Sequence, residues 1–243
     1  MEHVPPSALV EVTSRLAYTT SFLNFTPEDG AAIHASGPLI APLIQTVLDA
    51  IYSKLLGYDI TAKAFVPKTS ADACNESAPS NPQDLNLGHA HIRRQMTFLK
   101  GYLLKIVNNE DWSPSSPLWE YMDKVAIAHT GLPGFQHRAK RPELRVEYMH
   151  LGLLLGWVQD VVLGAVMGMD SVDLETKSNV ARAWGKLLWL QNDLFARKYV
   201  VDRDTGETPV GIESRDTLGA SKMLGVGLIG ALSGAIMVFA WHM

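Results

Sequence analysis

Apolar residues recur along this chain at helical spacing, and no convincing strand pattern interrupts them. In "PLIAPLIQTVLDAIYSKLLGYD" they fall at 40, 43, 44, 47, 48, 51, 52 and 55. That spacing predicts a helix over 39–56 buried on a broad face, with Pro42 marking its first turn or bending it. Upstream, "FTPEDGAAI" combines Thr26 as N-cap, Pro27 at the first helical position and Asp29 two residues later, three signals of a helix start. A stripe at 85, 89, 92, 96, 99 and 103 runs through "LGHAHIRRQMTFLKGYLLKIV", a helix over 87–107. "SPLWEYMDKVAIAHTG" opens on Ser116 and Pro117 and stops at Gly131, giving about four turns with the stripe Leu118, Met122, Val125, His129. Two long helices follow, near 143–168 and 172–199. Between the second and third segments, residues 67–86 form a loop rich in Ser, Asn, Ala and Pro, long for a compact domain. No repeat and no second globular domain is visible, so the expected fold is all-α, with six or more helices.

The last segment departs from that pattern. "LGVGLIGALSGAIMVFAW", Leu224 to Trp241, is uncharged throughout and would span about 27 Å as a helix, close to the roughly 30 Å of a hydrocarbon core. Gly230 and Gly234 give it small-xxx-small spacing, and Lys222 and Trp241 sit at its edges. A polar stretch, 201–222, separates it from the rest. The expected organisation is therefore a domain over 1–200, a linker over 201–222 and a membrane anchor over 223–243, with membrane contact through 224–241. The competing reading is a terminal helix packed on the domain. The N-terminus lacks a secretory signal, so the domain is expected in the cytoplasm, tail-anchored in a membrane.

Composition narrows the function. A formal charge of −4, with no basic block longer than Lys-Arg, argues against a nucleic-acid partner. The single cysteine, Cys74, rules out an intramolecular disulfide and most cysteine metal cages, and fits a reducing compartment. The "NES" triplet at Asn75 matches a glycosylation acceptor, a pattern common by chance. No Gly-rich phosphate loop, His-Glu-x-x-His or nucleophile-elbow pattern occurs.

His129 stands where the stripe of its helix calls for an apolar side chain. A metal-ligating imidazole needs a wall that excludes water and a partner for its second ring nitrogen, which the last carbonyls of its own helix, around Val125 and Ala126, can supply. A lone histidine on an apolar face is more often a satisfied core residue. Tyr52, Phe98 and Leu99 lie on the two preceding helices, and together with His129 they make a plausible lining for a haem pocket.

The succession "FLNFTPED", "VLDAIYSKLLG", "MTFLKGYLLKI", "WEYMDKVAIAHTG", "RPELRVEYMHLGLLLGWV" and "LLWLQNDLFARKY" resembles the protoglobin and globin-sensor branch of the globin superfamily, over roughly residues 16–200. The resemblance implies a globin-like helical sandwich with an N-terminal extension, followed by the apolar tail. It implies haem b held without a covalent link, consistent with the lack of a Cys-x-x-Cys-His motif. It places His129 as the iron ligand and Tyr52 on the opposite side as donor to a gas ligand. Phe98, Leu99, Leu153 and Leu154 would be the apolar neighbours that keep water out. Archaeal members carry a Trp before the distal Tyr; Ile51 stands here instead. The family also implies pairing of two copies through the last two globin helices. The remaining histidines read as ordinary. His89 could in principle be a second axial ligand but lies near its helix start, where the family uses Tyr. His137 with Arg93 and Arg94 could meet haem carboxylates, but a solvated turn and exposed charge are the default. His150 reads as a boundary residue, and no motif surrounds His34.

Three functions follow. The first is reversible binding of dioxygen, carbon monoxide or nitric oxide for sensing or storage. The second is a haem enzyme, a nitric oxide dioxygenase or peroxidase, dependent on a separate reductase. The third is a haem-free interaction protein with a globin-like core.

Overall fold

The computed structural model describes residues 1, 3–66, 79, 81–136 and 145–200. The linker and tail over 201–243, most of the 67–86 loop with Cys74 and Asn75, and His137 lie outside the described residues. Within them the chain is mostly helical, and its β contact is an isolated bridge between Thr130 and Arg145.

The N-terminal extension is a 3-10 turn, Pro6–Leu9, followed by α1, Val12–Phe22. Helix α2, Pro27–Ala35, starts where the cap signals place it: Thr26 and Asp29 form a reciprocal capping box, with the Thr26 backbone N–H donating to Asp29 Oδ2 at 2.8 Å. The predicted 39–56 helix is divided. A single turn, α3 (Gly37–Ile40), passes into a 3-10 turn, Ala41–Leu43, and only then into α4, Ile44–Leu56. Pro42 sits in that 3-10 turn; its ring clashes with a continuing α-helix and it lacks the N–H that the helix would need. A short α5, Asp59–Ala62, leads to the gap in the described chain. Helix α6, Ala90–Val107, takes His89 as its N-cap; α7, Pro117–His129, takes Ser116. Helices α8, Tyr148–Met167, and α9, Leu174–Ala196, form the antiparallel pair that ends the domain.

Helix α9 is the spine. It packs on α8, α2, α7 and α1, while α4 lies against α6 and α8. Its face Val180, Ala183, Trp184, Leu187, Leu190, Leu194 and Phe195 is buried, the 3.6-residue period made solid. Each fully buried Leu contributes about 1.5–3 kcal/mol. Polar pins fix the register of this packing. The Trp184 indole N–H donates to Ser36 Oγ at 3.1 Å. Arg15 forks onto Asp193 through two bonds of 2.6 Å, tying the extension to α9. Asp123 of α7 receives Arg197 at 3.1 Å and Lys198 at 3.0 Å, all three nearly buried. Removing one member of that group would strand charge in the interior.

Beneath α2 the backbone approaches an aromatic cluster of Phe25, Trp112 and Trp119. A Cβ on Gly30 would overlap the Trp112 ring, so the close approach requires glycine there.

Among the described residues, two apolar stretches, 27–56 and 148–167, are long enough by composition to cross a bilayer. The first is broken at Pro42 and contributes α2 and α4 to the domain. The second is α8, apolar over most of its surface, which packs one side on α9 and leaves Met149, Leu153, Leu163 and Met167 exposed, with Asp160 exposed among them.

Candidate ligand cavity

Helices α4, α6, α7, α8 and α9 enclose a cavity of about 1210 Å³. This exceeds the about 300–1,000 Å³ typical of sites for drug-sized ligands. The walls are predominantly apolar: Ile44, Ile51 and Leu55 from α4, Leu99, Leu103 and Ile106 from α6, Leu151, Leu154 and Val158 from α8, Leu188 and Phe195 from α9.

His129 lines this cavity from the last position of α7. Its Nδ1 is 2.8 Å from the Val125 carbonyl oxygen, one of the two acceptors its helix end offered. With Nδ1 as the donor, the imidazole is held in the tautomer whose lone pair sits on Nε2. The Phe195 ring meets the imidazole edge-on, with centroids 5.4 Å apart and an interplanar angle of 89°. The backbone after the histidine is clamped as well. Val146 N–H donates to the His129 carbonyl at 2.9 Å, and Gly131 and Gly134 adopt φ of 101° and 61°, turning the chain back along α7. A Cβ on Gly134 would collide with the Lys124 carbonyl. The helix end and the loop leaving it thus hold the imidazole from both sides.

Tyr52 is 6% exposed, lines the same cavity and packs against Phe65 at 5.8 Å. Its hydroxyl makes no hydrogen bond to another described residue. Burial pushes the phenol well above the ordinary tyrosine range, which keeps it protonated and able to donate. Leu99 and Leu154 also line the cavity, and Ile51 is buried beside Tyr52. Phe98 reaches the lining but is 50% exposed, a rim position with the Arg94 guanidinium 5.7 Å above its ring.

One expectation is corrected, and one alternative finds no support. Leu153 is 67% exposed and absent from the lining; Leu151, Leu154 and Leu155 occupy the inner side of α8 instead. His89 is not placed to face a ligand. Its Nδ1 accepts the His91 backbone N–H as the cap of α6, so the helix begins after it rather than through it.

The structure also brings in residues that periodicity did not single out. His91, Arg94 and Gln95 line the cavity from the first turns of α6, with Lys63 nearby on the lining and Arg145, Glu147 and His150 on the side where α8 begins. Arg93 and His34 do not line it. Burial, aided by His89 and Arg94, lowers the His91 pKa, favouring its neutral form. Tyr102 is buried among the lining residues, with its ring 6.0 Å from Tyr121 and its hydroxyl without a partner among the described residues. Gln191 enters from α9. A polar side chain on an apolar helix face was the signal that singled out His129, and it holds equally for Gln191.

No group of three or more His, Cys, Asp or Glu side chains suited to a metal ion occurs among the described residues. A largely apolar, partly open space with an oriented imidazole and two phenols lacking described partners, Tyr52 and Tyr102, suits a flat apolar macrocycle that brings its own equatorial donors.

The profile of the protoglobin family matches residues 12–205. Among solved structures, the globin domain of a Geobacter sulfurreducens globin-coupled sensor superposes with a TM-score of 0.53 over 76% of this chain and 97% of its own, at 16% identity. At that identity the likeness concerns the fold, which is globin-like. No curated protein matches the chain. With most of its length covered by the family profile and its helices in the globin arrangement, the chain belongs to the protoglobin family.

Proposed function

We propose that the chain holds one haem b without a covalent link and reversibly binds a diatomic gas for sensing or storage, with His129 as the iron ligand. The observation that carries this reading is the half-buried imidazole itself. It lines a large apolar cavity with Nδ1 committed to the Val125 carbonyl, the arrangement that orients a metal-binding histidine. When bound, haem supplies an iron centre able to take dioxygen, carbon monoxide or nitric oxide.

The chain's residues do the rest. Val125 and Phe195 fix the plane of His129. Leu99, Leu103, Leu154 and Val158 keep bulk water from the α4, α6 and α8 side of the cavity. Tyr52, held protonated by burial, donates its O–H to a gas ligand and slows its release. Lys63 and Arg94 bring positive charge to the lining, suited to the carboxylates of the macrocycle. Phe98 covers the rim.

Two further parts of the reading concern assembly. Met149, Leu153, Leu163 and Met167 form an exposed stripe along the outer side of α8, and a second copy seated there would pair the chain through α8 and α9. Residues 224–241 would anchor the chain in a membrane, leaving the globin domain in the cytoplasm.

Titration of the full chain in detergent with haem tests the cofactor assignment. A sharp Soret band that saturates at one haem per chain, and shifts when the reduced sample is given carbon monoxide, is expected. A spectrum that stays that of free haem would exclude it.

A further inference from the structure

The cavity face of α9 carries Trp184, Leu188, Gln191 and Phe195, spaced four, three and four residues apart. This is the spacing of a wholly apolar stripe, and one member is an amide. Trp184 has its polar atom satisfied by Ser36. Gln191 does not. It is 9% exposed, it lines the cavity, and its side chain makes no hydrogen bond to another described residue. The amide is thus mostly withdrawn from bulk solvent with no protein partner among the described residues, and the accessible part of its side chain meets the cavity, where a leucine would have suited the apolar walls better.

We propose that Gln191 anchors a neutral, water-sized hydrogen-bonding ligand at a subsite on the α9 wall of the cavity. Phe195, the ring that abuts His129, lies one helical turn further along the same face, so the subsite adjoins the His129 side. The amide selects the class of ligand. It is uncharged and offers one acceptor oxygen and two donor hydrogens, which suits water or a small polar gas molecule and gives no reason for an ion to leave water. The walls, Leu188 and Phe195 among them, are apolar, and a hydrogen bond gains strength in such surroundings. The cavity has room, since its about 1210 Å³ exceeds the space a single drug-sized ligand fills. The subsite goes beyond the haem reading and rests on it only for the nature of its neighbour, because the amide and its walls belong to the chain alone.

The test is nitrogen-15 NMR of glutamine side chains in the full chain in detergent, recorded with and without added haem, in water and then under saturating carbon monoxide. The Gln191 resonance is identified as the one lost in Gln191→Leu; Gln191→Asn serves for the assignment if the leucine variant does not fold. The expected result is exchange of magnetisation between the Gln191 amide and a long-lived bound water, or a shift of that resonance when carbon monoxide enters the haem-free chain. The first outcome identifies resident water as the ligand and the second a diatomic gas. A Gln191 amide that shows neither, exchanging only with bulk solvent, overturns the proposal. Failure of the haem reading is recognised separately, as the absence of a Soret band in the haem-treated sample, and leaves the haem-free measurement standing.

Discussion

Tyr52 is buried on the face of α4 that also carries Ile44, Leu48 and Ile51, and it brings a hydroxyl with no described partner into the cavity. Replacing it with Phe keeps the ring and removes the donor. Loss of a hydrogen bond to a polarised ligand corresponds to about 10- to 100-fold faster dioxygen release. Stopped-flow displacement of dioxygen by carbon monoxide in Tyr52→Phe measures it, and an unchanged rate would remove Tyr52 from the account. Gly30 gives a test of packing alone. Gly30→Ala drives a methyl into the Trp112 ring and should lower stability by about 1–3 kcal/mol, read as a fall in the helical melting temperature. At this scale the sequence was partly legible. His129 stood out because a polar group on an apolar stripe needs a reason, whereas Tyr52, core by its position alone, was reached through the family resemblance; both line the cavity. Gln191 carried the same signal as His129. His89, read as an ordinary residue despite its stripe position, is the cap of α6, where the side chain serves the helix start. His91, two residues on, faces the cavity in its place.

Among the elements, those with terminal chemistry were the ones the sequence made clear. Thr26, Pro27 and Asp29 start α2, and Ser116 and Pro117 start α7, because caps act through bonds to nearby backbone. Pro42 was seen, but its effect was larger than a bend: it sets a 3-10 turn ahead of α4. Helix α8 was harder. It is apolar over most of its surface, so periodicity could not tell the inner Leu154 from the outer Leu153; only packing against α9 decides. Several helices bury phenols, and this predicts a pH response. Burial pushes Tyr199 up to about 12 and raises Tyr52 and Tyr102 above the ordinary range near 10. The folded chain therefore holds these protons more tightly than the unfolded one. Their contribution to stability is complete below about pH 10 and is lost as pH rises through the folded values. Helical circular dichroism should fall on titration above about pH 10, less steeply in Tyr52→Phe. Identical alkaline profiles would mean that Tyr52 is not buried as described.

At the scale of the molecule, the globin arrangement was legible as a succession of helices in order, and the cavity was not, since its shape depends on five helices meeting. The outer stripe of α8 leaves large side chains in contact with water, the pattern of a surface that expects a partner. Leu153→Lys places a charge in the N-terminal, wholly apolar half of that stripe, away from Asp160, and should convert a dimer to a monomer in analytical ultracentrifugation, with the Soret band retained. A monomeric wild-type chain would contradict the assembly and leave the cavity untouched. The central claim is that His129 ties haem to this chain, and the direct measurement is the visible spectrum of the reduced, haem-loaded full chain in His129→Gly, before and after adding imidazole. The account predicts a Soret band lost or displaced in the variant and restored when imidazole fills the space left by the side chain. A variant spectrum identical to that of the wild type would show that the iron is bound elsewhere, and the account would fall.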